Sequence, residues 1–419
     1  MAAGYAELLR TPHAARLLTG TLVGRLPNAT AAIAIVLFVR AEGGSYTLAG
    51  VLTAVYGLAM AVGQPLLGRA ADLYGQPRVM LPASVVSALG MAAFSLVGID
   101  ALPLAYAAVL VAGLLTPPLE GGLRALWPKI LRREDQVHAA YAMDAVAQEV
   151  MFTVGPLLVT GIVALWSEAS GLLVINAMGV LGALSVVVSR PSRDWRSAPR
   201  EAHWLGALRS PGLLALLGSF FFVGLAINSI TVAAVVYADG NGGDLVYGLL
   251  MAALGLGALV GGVGYGARQW PGTPELRLRV LVALLALGYL PLLIVPGAVA
   301  MTFLMVVAGV FLAPTLACGF VVVDRHAPVG TVTEAFSWVV TTFGVGSAVG
   351  TAVVGPAVEA GGAPLGFGVA CAGGGAALLV LLATRRVLAG PGRTTDITSS
   401  SESDRNGAVE PGFSTGHQA

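Results

Sequence analysis

The chain has 419 residues, of which 56% are hydrophobic and 11% are charged, and its formal net charge at pH 7 is +1. Apolar runs of about 20 residues recur along most of its length, and such runs are long enough to cross a hydrocarbon layer of about 30 Å as helices. This composition excludes an ordinary soluble domain, and the short alternating segments of a membrane β-barrel are not seen. The sequence therefore predicts an all-α polytopic membrane protein.

Hydropathy and the positions of glycine, proline and charged residues predict twelve transmembrane helices in chain order. The first six lie at 17–39, 47–67, 79–99, 102–123, 137–165 and 170–190, and the second six at 211–237, 245–267, 279–296, 299–322, 332–358 and 365–384. The start of the chain is too polar for the apolar region of a cleavable signal peptide.

These spans predict four regions. We expect an N-terminal six-helix bundle at 1–190, a cytoplasmic central linker at 191–210, a C-terminal six-helix bundle at 211–386 and a cytoplasmic tail at 387–419. The tail is rich in serine, threonine, glycine and charge, and this composition predicts disorder.

The two predicted bundles carry related sets of glycines at the same offset along the chain. Those of the first half and their counterparts in the second are Gly50, Gly57, Gly63 and Gly68, and Gly248, Gly255, Gly261 and Gly266. Internal repeats in a strongly apolar chain are typical of secondary transporters, in which the substrate site lies between the repeats near the bilayer midplane. The repeat therefore predicts two pseudo-symmetric bundles around a central site.

Basic residues are distributed very unevenly between the two sides of the predicted membrane. Of the 23 lysines and arginines, Arg25 lies within the first span and Arg40 on the opposite side, and all others fall on the side of the termini and the linker. The positive-inside rule then predicts that both termini are cytoplasmic. Lys129 is the only lysine, and this bias towards arginine suggests a GC-rich bacterial genome and hence the bacterial plasma (inner) membrane.

The connection after the second span contains a recognisable pattern, formed by Gly68, Asp72, Gly75 and Arg78. It resembles the signature of the major facilitator superfamily (MFS), which lies in the cytoplasmic loop between the second and third spans. Gly68 permits a close helix approach, Gly75 can adopt a positive φ, and Asp72 can pair with an arginine or cap a neighbouring helix. The resemblance implies a conformational latch that holds the cytoplasmic side closed.

The pattern departs from the family at two points. Gln76 stands near the position where a second basic residue is usual, and Trp270 stands where the second half would carry the corresponding acid. We therefore expect the latch mainly in the first half.

The fifth span contains Gly155 and Pro156, which resemble the antiporter motif of the same superfamily. That resemblance implies export in exchange for protons. The match is partial, because Met151 replaces the glycine expected four residues earlier, and a structural kink is the alternative interpretation.

A charged side chain within a span indicates a functional or structural role, because its insertion into the membrane costs about 2.5 to 3.5 kcal/mol. Arg25 and Glu149 lie at comparable depths in the first and fifth spans, and they are candidates for proton coupling or substrate binding, or for a structural ion pair. Asp144 lies nearer the cytoplasm on another face of the fifth span, where it could couple protons or pair with loop arginines.

Other polar residues receive weaker assignments. Gln148, Asn228 and Tyr56 are candidates for facing a central cavity, although small polar groups also serve in helix packing. Glu120 and Arg124 are four residues apart at the predicted cytoplasmic end of the fourth span, so we expect a local helical ion pair there.

The favoured function is secondary active transport by alternating access, with proton-coupled export of a small amphipathic compound such as a drug or secondary metabolite. The alternatives are proton-coupled uptake of a sugar, amino acid or organic anion, and a non-transporting receptor or assembly factor on a transporter scaffold. The expected partners are the substrate, protons and the lipid bilayer, without nucleic acid, and the expected state is a monomer.

An enzyme is not expected. The sequence lacks a phosphate-binding loop ending in lysine, and its five histidines form no zinc-binding pair on one helix. Accordingly, we expect no cofactor and no metal.

Overall fold

The structure is a computed structural model that describes residues 5–131, 133–198, 203–268 and 270–389. Most of the predicted tail lies outside these residues. Its first positions do not, because the short helix Arg385–Leu388 runs past the expected start of the tail at residue 387.

Eleven helices in the described part of the chain are long and apolar enough to cross a membrane. We number them as spans, with the bounds Ala14–Ala41 (span 1), Tyr46–Tyr74 (span 2), Gln76–Val97 (span 3), Leu102–Ile130 (span 4), Glu134–Leu165 (span 5), Glu168–Val187 (span 6), Pro211–Asp239 (span 7), Asp244–Gly266 (span 8), Pro274–Ile294 (span 9), Ala298–His326 (span 10) and Val332–Ala383. Within the described residues, four shorter helices lie outside the spans, at Tyr5–Arg10, Arg190–Arg193, Gly206–Arg209 and Arg385–Leu388.

The helix Val332–Ala383 is two spans joined by a sharp turn. Its backbone is not helical at Gly361, with φ −158° and ψ 25°, or at Gly362, with φ 66° and ψ −160°. A positive φ is readily adopted by glycine, which lacks a Cβ. Residues 332–360 therefore form span 11 and residues 363–383 form span 12, and the predicted fold of twelve helices is confirmed.

Spans 1, 4 and 10 each consist of two helices, those of span 10 being Ala298–Gly309 and Leu312–His326, and in spans 1 and 4 prolines lie at the break. Span 1 breaks at Arg25, two residues before Pro27, which has no N–H to donate. Span 4 breaks between the helices Leu102–Leu114 and Leu119–Ile130, where Pro117 and Pro118 lie. The sequence prediction ended span 4 at residue 123, but the helix continues seven residues further, to Ile130.

The repeated glycines mark equivalent close approaches in the two halves. A Cβ on Gly63 of span 2 would overlap the carbonyl of Leu114 in span 4. A Cβ on Gly261 of span 8 would likewise overlap the carbonyl of Val310 between the two helices of span 10. Small residues let helix backbones approach closely in membranes, so the glycine repeat corresponds to a structural repeat.

The outer surface of the bundle is apolar. Large hydrophobic side chains at its periphery are widely exposed, including Leu58, Leu96, Val299 and Phe303. A soluble protein does not expose apolar surface on this scale, whereas lipid chains solvate it readily. The chain is therefore a multi-pass membrane protein.

The two halves meet at one end of the bundle, which carries the helix Tyr5–Arg10 and the segments 188–198 and 203–210 and is called the linker end below. Spans 2 and 11, spans 5 and 8, and spans 5 and 10 pack across the two halves. The deepest recorded hydrogen bond between them joins Thr341 Oγ1 to the carbonyl of Ala61, at 3.1 Å.

Towards the other end, three glycines of spans 2 and 8 have no close neighbour. A Cβ added to Gly50 or Gly57 of span 2, or to Gly248 of span 8, would meet no atom within 4 Å. The bundle is therefore closed at the linker end.

Candidate functional site

Four charged side chains and one amide form a buried charge cluster inside the N-terminal half. Its members are Arg25, Glu120, Arg124, Asp144 and Gln148. The side chains of Arg25, Arg124 and Asp144 are at most 2% exposed, and that of Glu120 is 8% exposed. Buried charges persist only when they are paired, so the two arginines and two carboxylates form a balanced group.

Each arginine contacts both carboxylates. Arg25 lies 2.6 Å from Glu120 and 3.4 Å from Asp144. Arg124 lies 2.7 Å from Asp144 and 3.7 Å from Glu120. Gln148 Oε1 accepts a hydrogen bond of 3.1 Å from each guanidinium, which gives both arginines a neutral acceptor as well.

Local helix geometry positions these residues. Glu120 and Arg124 are four apart on the second helix of span 4, and Asp144 and Gln148 are four apart on span 5, so each pair occupies one helix face. Arg25 reaches the same place from the break in span 1. The cluster therefore joins three helices of one half.

The C-terminal half covers the cluster with aromatic rings. The Arg124 guanidinium lies 3.7 Å from the ring centroid of Phe320 in span 10 and 5.7 Å from that of Phe336 in span 11. The Tyr141 hydroxyl donates to the carbonyl of Arg124 at 3.3 Å. Arg124 thus contacts carboxylates of its own half and aromatic rings of the other, an arrangement that favours cation–π attraction.

The positions of these charges differ from the sequence expectation. Arg124 is fully buried, and span 4 continues beyond it to Ile130. The recorded ion pairs of Arg25 are to Glu120 and Asp144, whereas Glu149 is half-buried next to Gln148 on span 5. Sequence reasoning treated Glu120 and Arg124 as a local pair and missed their partners on other helices.

The neutral candidates occupy separate places. The Tyr56 hydroxyl bonds Thr116 Oγ1 at 3.1 Å inside the N-terminal half. Asn228 of span 7 donates to Thr351 of span 11 inside the C-terminal half. Of the three, Gln148 alone belongs to the buried charge cluster.

The predicted latch residue Asp72 caps a helix of the opposite half. Its Oδ1 accepts from the backbone N–H of Thr333 at 3.1 Å, and its Oδ2 accepts from that of Glu334 at 2.9 Å. These N–H groups belong to the first turn of span 11, where a carboxylate is favoured by unpaired donors and by the helix dipole. A Cβ on Gly68 would overlap Ser337 of the same helix, so a side chain there would push the halves apart.

The remaining loop residues have unequal roles. Gly75 adopts φ 92° between spans 2 and 3. Arg78 is exposed and has no recorded ion pair or hydrogen bond within the described residues. Two residues that sequence reasoning did not select tie the loop down instead: Arg69 donates to the carbonyls of His203 and Trp204, and Gln76 Nε2 donates to the carbonyl of Gly122 at 2.9 Å.

The Gly155 and Pro156 pair lies within a span that remains helical from Glu134 to Leu165. A Cβ on Gly155 would lie 3.0 Å from Cγ2 of Thr30, so the glycine brings span 5 close to span 1. Pro156 cannot donate a helical hydrogen bond and weakens the ladder at this point.

Among the described residues, no group of three or more histidine, cysteine, aspartate and glutamate side chains has the arrangement of a metal site. The residues gathered at the site can hold charge and exchange protons, and they form no nucleophile and base pair of the hydrolytic type.

Known structures with similar folds are transporters. A bacterial homologue of the iron transporter ferroportin in an outward-facing state superposes with a TM-score of 0.72 at 14% identity, covering 89% of this chain and 99% of that one. The human organic anion transporter MFSD10 (TETRAN) gives 0.62 at 17% identity, with 89% and 99% covered. The Escherichia coli fucose:proton symporter FucP gives 0.66 at 14% identity, with 88% and 97% covered.

No curated protein matches the chain in sequence. The family model described as Major Facilitator Superfamily matches residues 17–351, which is most of the chain and extends into span 11. The chain therefore belongs to the Major Facilitator Superfamily, and its fold is that of a secondary transporter.

Proposed function

We propose that this protein is a proton-coupled exporter of a small amphipathic compound, such as a drug or secondary metabolite. The observation that carries the proposal is that Arg124 contacts both halves of the protein. Its guanidinium lies 2.7 Å from Asp144 in its own half and 3.7 Å from the centroid of the Phe320 ring in the other. A change in charge within the cluster is thereby linked to the packing between the halves.

The coupling step follows from charge balance. Two arginines and two carboxylates form the cluster, so a proton on Asp144 leaves an excess positive charge in a buried place. The protonated Asp144 then attracts the two guanidiniums less strongly, and the contact of Arg124 with the opposite half changes. Proton binding therefore alters the relative stability of the closed and open linker end, as alternating access requires.

The substrate class is inferred from the charges that are already neutralised. Arg25 and Arg124 are both paired with carboxylates, so neither offers an uncompensated cation to an anionic substrate. This favours neutral or cationic amphipathic compounds over organic anions. Gly155 and Pro156 support export over uptake through their resemblance to the antiporter motif.

We also propose that the linker end faces the cytoplasm of a bacterial cell. Both termini then lie on the cytoplasmic side of the plasma membrane, and the protein acts as a monomer. The support is the concentration of arginine at this end and the positive-inside rule. Reporter domains fused to the C-terminus test the orientation: a cytoplasmic reporter is expected to be active there and a periplasmic one inactive.

The test of function is proton movement in proteoliposomes of purified protein. Lipophilic cations, antibiotics, sugars, amino acids and organic acids are added in turn, and internal pH is recorded for the wild type and for Asp144→Asn, Glu149→Gln and Asp100→Asn. We expect a lipophilic compound to drive proton flux in the wild type and in the exposed control Asp100→Asn, but not in Asp144→Asn.

Substrate exchange without a proton gradient separates coupling from binding. Asp144→Asn is expected to keep this exchange while losing proton flux. If Glu149→Gln alone loses flux, Glu149 is the coupling carboxylate and the charge cluster is structural. Flux driven only by sugars, amino acids or organic acids would contradict export of an amphipathic compound, and silence with every compound would favour a receptor.

A further inference from the structure

A cavity of about 800 Å³ lies at the linker end, away from the buried charge cluster. Its walls come from both halves. Arg133 and His138 belong to the start of span 5, and Arg268, Arg277 and Arg325 belong to the loop after span 8 and to spans 9 and 10. None of these residues takes part in the coupling step proposed above.

Two of the four arginines already have carboxylate partners. Arg133 pairs with Asp135 and lies 3.9 Å from Glu7, and Arg325 Nε lies 3.3 Å from Glu275 Oε1. These pairs leave their guanidiniums largely compensated.

The other two arginines are not compensated in this way. Within the described residues, no carboxylate is recorded within 4 Å of Arg268 or Arg277, although the Glu134 carboxylate also lines the cavity. Arg277 donates to the carbonyls of Trp270 at 2.9 Å and Gly272 at 3.2 Å, and its buried Nε has no acceptor among the described residues. Arg268 lies beside the Trp270 ring, with its guanidinium 5.5 Å from the ring centroid. Four arginines and two carboxylates, those of Glu134 and Asp135, line the cavity, so positive charge is in excess there.

The excess positive charge lies beside a loop that corresponds, by the pseudo-symmetry of the fold, to the loop of Asp72. In the first half the loop after span 2 supplies the Asp72 carboxylate, which joins the two halves. In the second half the corresponding position is Trp270, and the loop borders an open cavity that arginines line. The carboxylate that Asp72 supplies in the first half thus has no counterpart at Trp270 in the second half.

We propose that this cavity binds a phosphate-bearing anion, taken either from a phospholipid headgroup or from a soluble phosphate compound. Planar guanidiniums bind phosphate oxygens through paired hydrogen bonds, and the Arg268 guanidinium has no recorded hydrogen bond within the described residues. Arg277 can add the Nε–H that has no acceptor there. The helix of span 9 also begins at Pro274 on the cavity wall, and helix N-termini favour anions. The bound anion contacts both halves and stabilises the closed linker end.

Thermal unfolding of the purified full-length protein in neutral detergent tests the site. The soluble probes are sodium phosphate and sodium pyrophosphate, and the lipid probes are short-chain phosphatidylglycerol and phosphatidylcholine, with sodium chloride at matched ionic strength as the reference. We expect a saturable rise in Tm of at least about 3 °C with a soluble phosphate or with phosphatidylglycerol, because a ligand that binds the folded state stabilises it. A response to the salts identifies a soluble ligand, and a response to phosphatidylglycerol alone identifies a lipid.

Substitutions decide whether the effect belongs to this cavity. Arg268→Gln removes an exposed guanidinium with no recorded hydrogen bond, so the variant is expected to fold and to bind the active probe at least tenfold more weakly by calorimetry. Arg277→Gln is expected to act likewise, while Arg279→Gln, on the same helix but outside the cavity wall, binds as the wild type does. Equal binding by Arg268→Gln and Arg279→Gln, or no response beyond that to chloride, overturns the proposal.

Discussion

Asp144 is the residue on which the balance of the buried charges depends most directly. It is completely buried and lies within ion-pair distance of both Arg25 and Arg124. Replacing one member of a buried pair costs more than the pair contributes, because the remaining charge stays buried without compensation.

We predict that Asp144→Asn lowers the free energy of unfolding by about 3 kcal/mol. The change is measured by denaturant titration of the purified protein, with the exposed Asp100→Asn as a control that shifts by less than about 0.5 kcal/mol. Adding Arg124→Gln to Asp144→Asn is expected to cost less than the sum of the two single changes, since the second removes a charge that the first left unpaired. Strict additivity would show that the two residues do not interact.

Asp72 acts at the linker end as a cap supplied by one half to a helix of the other. Asp72→Ala leaves the N–H groups of Thr333 and Glu334 without this acceptor, at a cost of about 1 to 2 kcal/mol to the closed state. That energy corresponds to an increase of about 5- to 30-fold in the population with an open linker end.

Opening is measured by thiol labelling at Ser337→Cys, in a background in which Cys318 and Cys371 are alanine. Ser337 is fully buried beside Gly68, so its modification requires separation of the halves. Asp72→Asn is expected to be intermediate because it keeps one acceptor oxygen. Labelling of Asp72→Ala no faster than that of Asp100→Ala would refute the capping role.

The capping contact of Asp72 was easier to predict from the sequence than the charge cluster was. Asp72 and Gly68 were selected from a local pattern, and local patterns are visible in a sequence. The partners of Arg25 come from spans 4 and 5, and their contact depends on how three helices are packed. The comparable depths of Arg25 and Glu149 in their spans suggested that these two residues pair. Depth does not specify the helix face, however, and Asp144 lies on the face of span 5 that is turned towards Arg25.

Helix interruptions explain the errors at the scale of elements. The sequence prediction ended span 4 at residue 123, just before the charged Arg124. In the structure Pro117 and Pro118 only break the span, and its second helix continues from Leu119 to Ile130. Hydropathy registers the charge of Arg124 and not the partners that compensate it, and so ends the helix too early.

The glycine repeat gives a prediction that compares equivalent elements in the two halves. Gly63→Ala and Gly261→Ala each introduce a Cβ that overlaps a backbone carbonyl of the facing span, which cannot move as a side chain can. We expect each to lower the free energy of unfolding by about 1 to 3 kcal/mol.

Other glycines on the same helices provide the control. Gly57→Ala and Gly248→Ala meet no atom within 4 Å, so their effect is expected to stay within about 0.5 kcal/mol or to be slightly stabilising, because alanine favours helix. All four variants are compared by the same denaturant titration. Equal losses at all four positions would indicate a general effect of helix flexibility rather than backbone contact.

At the scale of the whole molecule, the two halves are joined by three kinds of contact at the linker end. Asp72 caps span 11, Tyr5 donates to the carbonyls of Gly262 and Val263 in span 8, and Phe320 covers Arg124. Only the last of these reaches the buried charge cluster directly. Communication between protonation and opening is therefore expected to pass through the contact of Arg124 with the aromatic rings.

We predict that Phe320→Leu weakens this communication while leaving the N-terminal half intact. Leucine retains apolar volume but has no ring for the guanidinium, and a desolvated cation–π contact contributes about 2 kcal/mol. Labelling at Ser337→Cys is expected to become up to about 30-fold faster and less dependent on proton concentration than in the parent protein. Phe94→Leu is the matched control, because Phe94 packs on Phe38 within one half at a centroid distance of 5.1 Å. That variant is expected to lower Tm without changing the dependence of labelling on pH, since its contact does not distinguish the closed from the open linker end. If both variants alter labelling equally, opening responds to general destabilisation and not to the contact between Arg124 and Phe320.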